Sequence, residues 1–265
     1  MRDLLRKHCL DCLGLFSRPA NGVHILNGHM LSRYPADASS TLSFYRQLKQ
    51  LRKWVRLIPI EEAVRLIREQ CEPDDPLVAF TFDDGFEECD SALAPVLEDF
   101  GVNAAFFINP NFAEGDEKYI AEFTRQVVRT PGKQPMRWDQ IKELHRRGHI
   151  IGAHTMDHYM INTQDRQVLE YQIGKCQAVI EERLAVPCEY FAFPYGRLEH
   201  ANREAIDLAC RYYKYVFSQS DYKHYFSFEG RVINRRHFEP FWPVSHLYYF
   251  LSCHKTYPAF SSLQR

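Results

Sequence analysis

Short apolar runs alternate with longer amphipathic segments along most of this 265-residue chain. The apolar runs have the length and composition of strands, and they fall at residues 23–27, 77–82, 103–108, 149–153, 190–193 and 214–218. Apolar residues recur with helical period at residues 41–54, 60–70, 91–100, 138–147, 167–184 and 199–211. This alternation predicts an α/β fold of parallel strands with outer helices, either a (β/α) barrel or a doubly wound open sheet.

Two adjacent carboxylates follow the second apolar run. Asp83 and Asp84 come directly after residues 77–82, and Gly85 supplies the backbone freedom for a sharp turn. Because catalytic residues gather at the carboxyl ends of parallel strands, this position suits acid–base or metal chemistry. Asp and Gly are also the commonest turn formers, so an ordinary turn is the competing interpretation.

Two histidines follow another apolar run. His154 and His158 stand at i and i+4, so their imidazoles share one face if the chain is helical after Ala153. A zinc-type site for hydrolysis needs about three protein ligands and an open position for water. Asp84, His154 and His158 satisfy that count and are the predicted ligands. A surface or core histidine pair is the competing interpretation of the spacing.

The run at residues 190–193 ends in Pro194, Tyr195 and Gly196. Proline has no backbone N–H to donate, and it stops the strand ladder. The backbone N–H of Tyr195 is then free to point at a bound oxyanion. A simple turn also accounts for this sequence.

These segments, in this order, resemble the motifs of the polysaccharide deacetylases with NodB homology, also called carbohydrate esterase family 4. Thr-Phe-Asp-Asp-Gly at residues 81–85 resembles the first motif, and His-Thr-Met-Asp-His at 154–158 resembles the second. Phe-Pro-Tyr-Gly at 193–196 resembles the third, and the likeness covers residues 23–238. The resemblance implies a distorted, incomplete (β/α) barrel.

The resemblance also implies a role for each motif residue. Asp83 is expected to be the general base, and Asp84, His154 and His158 are expected to bind a divalent metal. Zinc is the expected metal, with cobalt, nickel, iron and manganese as alternatives. The backbone N–H of Tyr195 is expected to stabilise the oxyanion.

The chain departs from the family pattern where better-known members have an arginine that orients the base aspartate. Ala192 stands at that position. Arg197, Arg231, Arg235 and Arg236 are the candidates to replace it, and the sequence does not choose among them.

The family's late segment that carries the general acid is also not evident. His237 is our prediction for this role because it follows the late apolar pair Val232 and Ile233, and imidazole exchanges protons near neutral pH. His29, His246 and His254 compete with it.

Length and composition fit a single domain over residues 1–265, with residues 1–20 as a candidate N-terminal helical extension. Lys and Arg number 33 against 34 Asp and Glu, so the net charge of −1 gives no basic field for nucleic acid. The eight cysteines lack paired Cys-x-x-Cys repeats, so reduced thiols in a cytosolic protein are expected.

Charges interrupt the apolar residues of positions 1–16, so neither a secretory signal nor a membrane span is predicted there. The segment is a candidate amphipathic helix, with Leu4, Leu5, Leu13 and Phe16 opposed to Arg2, Arg6 and Lys7. Packing on the domain is its expected role, and peripheral membrane contact is the alternative.

The predicted function is metal-dependent hydrolysis of the N-acetyl or other N-acyl group of an amino sugar, in a polysaccharide, glycolipid or sugar precursor. A deformylase or another hydrolase of linear C–N amides is the second hypothesis, and a sugar-binding protein without turnover is the third. Residues 114–135 are predicted to be a loop that shapes the substrate groove. We expect a cytoplasmic location, with the inner membrane surface as an alternative.

Overall fold

One sheet of ten strands forms the centre of the computed structural model, which describes residues 2–34 and 36–258, with side chains from position 9 onward. The strands are β1 Gly22–Gly28, β2 Arg56–Leu57, β3 Pro76–Phe82, β4 Ala104–Ile108, β5 Ile150–Ala153, β6 Tyr190–Ala192, β7 Tyr215–Ser218, β8 Phe226–Ser227, β9 Val232–Asn234 and β10 Arg236–His237. Their order is β10-β1-β3-β4-β5-β6-β7-β9-β8, and β2 pairs with β3 beside this path. All pairs are parallel except β8 with β9.

The sheet curls until its two ends meet at Arg235. β9 pairs with β7 near one end of the strand order, and β10 pairs with β1 at the other end. Only Arg235 separates β9 from β10 along the chain, so these two ends lie side by side. This is the predicted distorted, incomplete (β/α) barrel, and it is confirmed. In an open doubly wound sheet, the alternative, the two ends would lie far apart.

Helices surround the barrel. They are α1 Arg2–Phe16, α2 Ala38–Leu51, α3 Ile60–Arg68, α4 Ala94–Asp99, α5 Pro110–Glu114, α6 Glu117–Glu122, α7 Trp138–Arg146, α8 Arg166–Leu169, α9 Cys176–Leu184, α10 Arg203–Tyr212 and α11 Val244–Leu251. Wider π-helical turns at Cys89–Leu93, Phe123–Val127 and Glu170–Lys175 adjoin α4, α6 and α9. The prediction of a loop at residues 114–135 is therefore wrong for residues 117–127, which are helical.

Alternate strand residues face two separate cores. Ile25, Ala79 and Phe107 belong to the core inside the barrel, whereas Phe80 and Phe106 belong to the core under the outer helices. The period of two in side-chain direction explains this division. At the carboxyl ends of β1 and β3 the inward positions become polar, and this change creates the floor of the site described below.

The N-terminal helix packs against α11. A Cβ at Gly14 would lie 2.0 Å from the Ser245 carbonyl oxygen, so only glycine permits this approach. Leu15 and Phe16 remain 68% and 88% exposed. The predicted amphipathic arrangement places Leu4 and Leu5 opposite Arg2, Arg6 and Lys7. These side chains lie outside the part that the structure describes. Within the described residues, no helix has the length and apolar character needed to cross a membrane.

Candidate active site

The two acidic residues face one cavity because the chain leaves β3 in a left-handed conformation. The Asp83 N–H donates to the Gly28 carbonyl at 3.0 Å and continues the ladder. Asp84 and Gly85 then have φ values of 74° and 71°. This bend breaks the alternation of a strand, so neighbouring carboxylates need not point to opposite faces. A Cβ at Gly85 would lie 3.1 Å from Ile108 Cγ2, so glycine suits the turn.

Arg235 is the charged partner of Asp83. Its Nη1 and Nη2 donate to the two carboxylate oxygens at 2.8 and 2.9 Å, and its side chain is fully buried. Asn27 Nδ2 donates to the same carboxylate at 3.0 Å. The guanidinium lies over Phe107 and Phe217, with its carbon 5.0 and 5.8 Å from their ring centres. Burial alone would raise the pKa of Asp83, but the charge and hydrogen bonds of Arg235, together with His154 and His29, outweigh it and hold that pKa well below its usual range.

Arg235 is thus the candidate that can replace the arginine that the family pattern has at the position of Ala192. Of the four candidate arginines, it is the one whose guanidinium bonds to Asp83 in the described part of the chain. The other three have different partners: Arg197 lies near Glu199, Arg231 pairs with Asp207, and Arg236 lies between the rings of Tyr222 and Phe250.

Asp84, His154 and His158 converge on one buried point. The Nε2 atoms of His154 and His158 lie 3.6 and 3.3 Å from Asp84 Oδ1. His154 Nδ1 lies 2.7 Å from the Ala192 carbonyl oxygen, which only accepts hydrogen bonds, so Nδ1 carries the proton. The lone pair of His154 Nε2 therefore faces Asp84. The backbone of Ala192 thus orients a predicted ligand, although its side chain cannot support the predicted base, Asp83.

The histidine pair converges through a turn, and the condition of a helix after Ala153 is not met. Thr155 and His158 have φ values of 62° and 55°, and residues 154–160 contain no helix. Thr155 Oγ1 accepts the N–H of Tyr159 at 2.8 Å and closes the turn. The two imidazoles therefore meet through left-handed backbone positions.

The surroundings of these three side chains fit a divalent metal. His158, at 8%, is the most exposed of the three residues. Asp84 Oδ1 is buried and has no hydrogen-bond donor among the described residues. A carboxylate oxygen in this situation is costly unless a cation satisfies it. Two imidazoles and one carboxylate are a ligand set that zinc binds in hydrolases.

Burial gives the two imidazoles a protonation state that suits metal binding. It lowers the pKa of His154 to about 4 and the pKa of His158 well below its ordinary value. Both imidazoles are therefore neutral near neutral pH and keep a lone pair for a metal. Burial also raises the pKa of Asp84 to about 7, and a cation at this point would favour its ionised form.

Tyr195 presents a free backbone N–H at the cavity. Its φ is 62°, and its N–H has no acceptor among the described residues. A Cβ at Gly196 would lie 2.3 Å from Gln219 Cβ, so glycine allows the segment after β7 to pack here. The Gln219 N–H donates to the Gly196 carbonyl at 2.7 Å and holds the two segments together. The N–H of Tyr195 is thus available for the predicted oxyanion contact.

Glu239 joins two histidines at the mouth of the cavity. Its Oε1 lies 2.8 Å from His29 Nδ1 and 3.0 Å from His237 Nε2. Its Oε2 accepts the N–H groups of His29 and Met30 at 3.2 and 3.4 Å. Burial alone would lower the pKa of His29, but the Glu239 carboxylate raises it to about 9. His29 is therefore protonated near neutral pH.

Two of the four histidines considered for the general acid line the cavity. The predicted residue, His237, lines the cavity, and so does its competitor His29. His246 instead lies 2.9 Å from Asp11 of α1, and His254 is exposed near the end of the described chain.

The cavity opens into a longer groove. The cavity has a volume of about 510 Å³, and residues 126–129 form one of its walls. The groove has a volume of about 890 Å³ and shares Tyr195, Gln219 and His237 with the cavity. Residues 197–200 and 219–222 line the rest of it. A substrate much larger than an acetyl group can therefore lie across the site.

Sequence reasoning did not find Glu239 and did not select Arg235. One signal for Glu239 was its place two positions after His237, which puts both side chains on one side of an extended segment. A signal for Asn27 was its polar amide in an apolar strand, which requires a buried partner. That partner proves to be Asp83 together with Arg235.

Comparison with known proteins adds the following similarities. The family model for polysaccharide deacetylases matches residues 70–212, just over half of the chain. YxkH of Bacillus subtilis (strain 168), whose name assigns it to the polysaccharide deacetylases, is 22% identical over 147 residues, which are 56% of this chain. The match spans 47% of YxkH, so this chain covers about half the length of that relative.

Solved structures share the fold. IcaB from Ammonifex degensii superposes with a TM-score of 0.67 at 22% identity, covering 88% of this chain and 99% of IcaB. The Streptococcus pyogenes deacetylase PplD, solved in complex with acetate, gives a TM-score of 0.64 at 16% identity and covers 86% of this chain and 97% of PplD.

Proposed function

Because this chain belongs to the polysaccharide deacetylase family, we propose that it removes the N-acetyl group from an amino sugar of a glycan by metal-dependent hydrolysis. The observation that carries the proposal is one cavity in which Asp83, bonded to Arg235, adjoins Asp84, His154 and His158. A base beside a three-ligand metal site is what hydrolysis of an unactivated amide requires.

Asp84, His154 and His158 would hold the metal. Zinc suits this ligand set best, and cobalt, nickel, iron and manganese are the alternatives. When bound, the metal lowers the pKa of water and polarises the amide carbonyl. The Ala192 carbonyl keeps His154 in the tautomer that leaves Nε2 available.

Asp83 accepts the proton of the attacking water. The charge of Arg235 keeps its carboxylate ionised at working pH because the pKa of Asp83 is held well below its usual range. Protonation would leave a buried guanidinium without its counter-charge, so Asp83 holds the proton only briefly. The backbone N–H of Tyr195 stabilises the negative charge that develops on the carbonyl oxygen.

One of the two histidines on Glu239 delivers a proton to the leaving amine. His237 is the residue predicted from the sequence. His29 is the second candidate, and its pKa of about 9 favours it because it carries a proton at neutral pH.

His237→Ala and His29→Ala are expected to identify the donor. The variant without the donor loses about two to four orders of magnitude in kcat on an amide. It loses much less on an activated ester, whose leaving group needs little protonation. Both rates and the metal content are measured for each variant. Equal losses of kcat on the amide and the ester in both variants would show that neither histidine donates the proton.

The groove beside the cavity supports a glycan substrate. Tyr195 and Tyr222 are 42% and 37% exposed there, and aromatic rings of this kind stack on sugars. Gln219 Nε2 and Ser220 Oγ are buried without a hydrogen-bond partner among the described residues. Both residues line the groove, so a change of rotamer would let sugar hydroxyls bond to these atoms.

The test is acid release from N-acetylated amino sugars, oligosaccharides, nucleotide sugars and glycolipids with the metal-loaded protein. We expect acetate, with kcat/KM rising as the chain lengthens into the groove. Formate release from N-formyl sugars at a higher kcat/KM would favour the deformylase hypothesis. Tight glycan binding without any release would favour the binding protein.

Tyr222→Ala tests whether the groove contributes to that length dependence. The ratio of kcat/KM between long and short oligosaccharides is expected to fall because one stacking surface is lost. Tyr45→Ala is the matched control, since Tyr45 is 36% exposed on α2 and packs near Phe100. An equal ratio in both variants would place the glycan elsewhere.

For the cellular setting we propose a substrate on the cytoplasmic side, with the exposed Leu15 and Phe16 of α1 as a contact with the inner membrane surface. Co-sedimentation of the protein with anionic vesicles tests the contact. Removal of both apolar side chains is expected to abolish it.

A further inference from the structure

The cluster of His29, His237 and Glu239 has the same composition as the first ligand set: two imidazoles and one carboxylate. One ring nitrogen of each histidine approaches the same oxygen, Glu239 Oε1, at 2.8 and 3.0 Å. The three ligand atoms lie within 4.8 Å of one another, as they do in the first set. The two rings stand edge-on, with centres 5.3 Å apart and an interplanar angle of 88°.

The spacing of these atoms is close to that of a metal site. Zinc–nitrogen and zinc–oxygen bonds of about 2.0–2.1 Å at tetrahedral angles place neighbouring ligand atoms about 3.3–3.4 Å apart. The first set has separations of 3.6 and 3.3 Å from Asp84 Oδ1. In the second set, the two histidine nitrogens lie 2.8 and 3.0 Å from Glu239 Oε1, so these distances must increase only slightly to admit an ion.

The second set is also accessible. The side chains of His29 and His237 are 21% and 35% exposed at the cavity mouth, whereas Glu239 is 9% exposed. The second carboxylate oxygen of Glu239 is fixed by the backbone N–H groups of His29 and Met30. Glu239 is therefore already oriented by the kind of outer contacts that metal ligands need.

We propose that His29, His237 and Glu239 form a second metal site, which binds a zinc-type ion more weakly than the first site and inhibits the enzyme. It is weaker because both ring nitrogens that face Glu239 Oε1 donate to it and must give up their protons to the ion, whereas Asp84 Oδ1 has no donor among the described residues. Two nearby cations also repel each other. The inhibitory effect rests on the proposed function, since an ion here removes the proton donor. Binding of the ion does not depend on that function.

Ions that accept imidazole nitrogen, such as zinc, nickel and copper, suit this site. Magnesium and calcium prefer oxygen ligands and should not occupy it. The activity of the wild-type protein is therefore expected to rise with the first equivalent of zinc and to fall by more than about tenfold in excess zinc, because proton delivery contributes about two to four orders of magnitude. Excess magnesium should cause no such fall.

The direct test is the number of zinc ions bound per chain, measured by equilibrium dialysis of metal-free protein. The wild type should bind one ion tightly and a second one at higher concentration. Glu239→Gln should stop at one, and Asp84→Ala should keep only the weaker ion. His224→Gln is the control, because His224 and Asp221 form another histidine–carboxylate contact, 2.9 Å apart, outside this cluster; this variant should still bind two.

Saturation of the wild type at one ion, or a second ion retained in Glu239→Gln, would overturn the proposal. These results do not depend on turnover. If no substrate releases acetate, the proposed function fails, while the stoichiometry still decides whether the second site exists. If acetate is released and excess zinc does not inhibit, the inhibitory role fails.

Discussion

Asp84→Ala is expected to abolish both metal binding and acetate release, whereas Asp83→Asn should keep the metal and slow hydrolysis by about two to four orders of magnitude. Asp84 Oδ1 lies against two imidazoles and has no hydrogen-bond donor among the described residues, so the loss of Asp84 removes one of three predicted ligands. Asp83 instead bonds to Arg235 and Asn27, so the amide variant keeps the three predicted metal ligands but loses the proton acceptor and the counter-charge of Arg235. Metal content and kcat are measured on the same purified samples.

Further variants make this comparison sharper. His154→Ala and His158→Ala should each lose most of the metal, as Asp84→Ala does. Asp99→Asn changes an exposed carboxylate at the end of α4 and should alter neither quantity. If Asp83→Asn lost the metal and kept turnover, the roles of the two acids would have to be exchanged.

The sequence could predict the residues at three strand ends because each motif is local. Asp83 and Asp84 follow β3 directly, and the backbone of Tyr195 is exposed by the proline that ends β6. A strand direction and a turn former are enough to place such groups at the mouth of a barrel. The spacing of His154 and His158 also predicted that they meet. The spacing could not show that they meet through a turn, because the left-handed backbone at His158 leaves no periodic signal in the sequence.

Arg235 could not be selected from the sequence, because its contact with Asp83 spans 152 residues. The contact exists only because the sheet curls and brings β9 and β10 next to opposite ends of the strand order. Those strands have three and two residues, too short for a periodic pattern. The π-helical turns had no signal either, since a single wider turn keeps the apolar pattern of a helix almost unchanged.

The same geometry explains how the chain tolerates Ala192 at the motif position. The inward side chains at the top of β1 and β3 are polar, and Asn27, Thr81 and Asp83 all bond to Arg235. Support for Asp83, the proposed base, therefore comes from Arg235, which lies between β9 and β10. Closure of the fold and orientation of Asp83, the proposed base, therefore depend on the same residue.

Arg235→Met is expected to impair stability and catalysis together. It leaves the Asp83 carboxylate, 3% exposed, without its cation, and breaking a buried pair in this way typically costs about 3–5 kcal/mol. Urea unfolding measures this loss. Arg231→Met is the control from the same segment, because Arg231 pairs with Asp207 near the surface and its loss should be small. Arg235→Lys restores a charge without the two-pronged contact and should recover only part of the stability.

The pH profile of Arg235→Met separates a role in catalysis from a purely structural one. In the wild type the pKa of Asp83 is depressed, so the pair stabilises the fold above the ordinary aspartate pKa and loses this effect as the pH falls. Without Arg235, the strongest opposition to burial is lost, so the pKa of Asp83 rises. The acidic limb of kcat/KM should therefore move to higher pH, with part of the lost rate recovered in alkaline buffer.

The double variant Asp83→Asn/Arg235→Met should be less destabilised than Arg235→Met, since no unpaired charge remains. An unchanged acidic limb with full metal content would remove Arg235 from control of the base and leave it as a structural residue of the barrel closure.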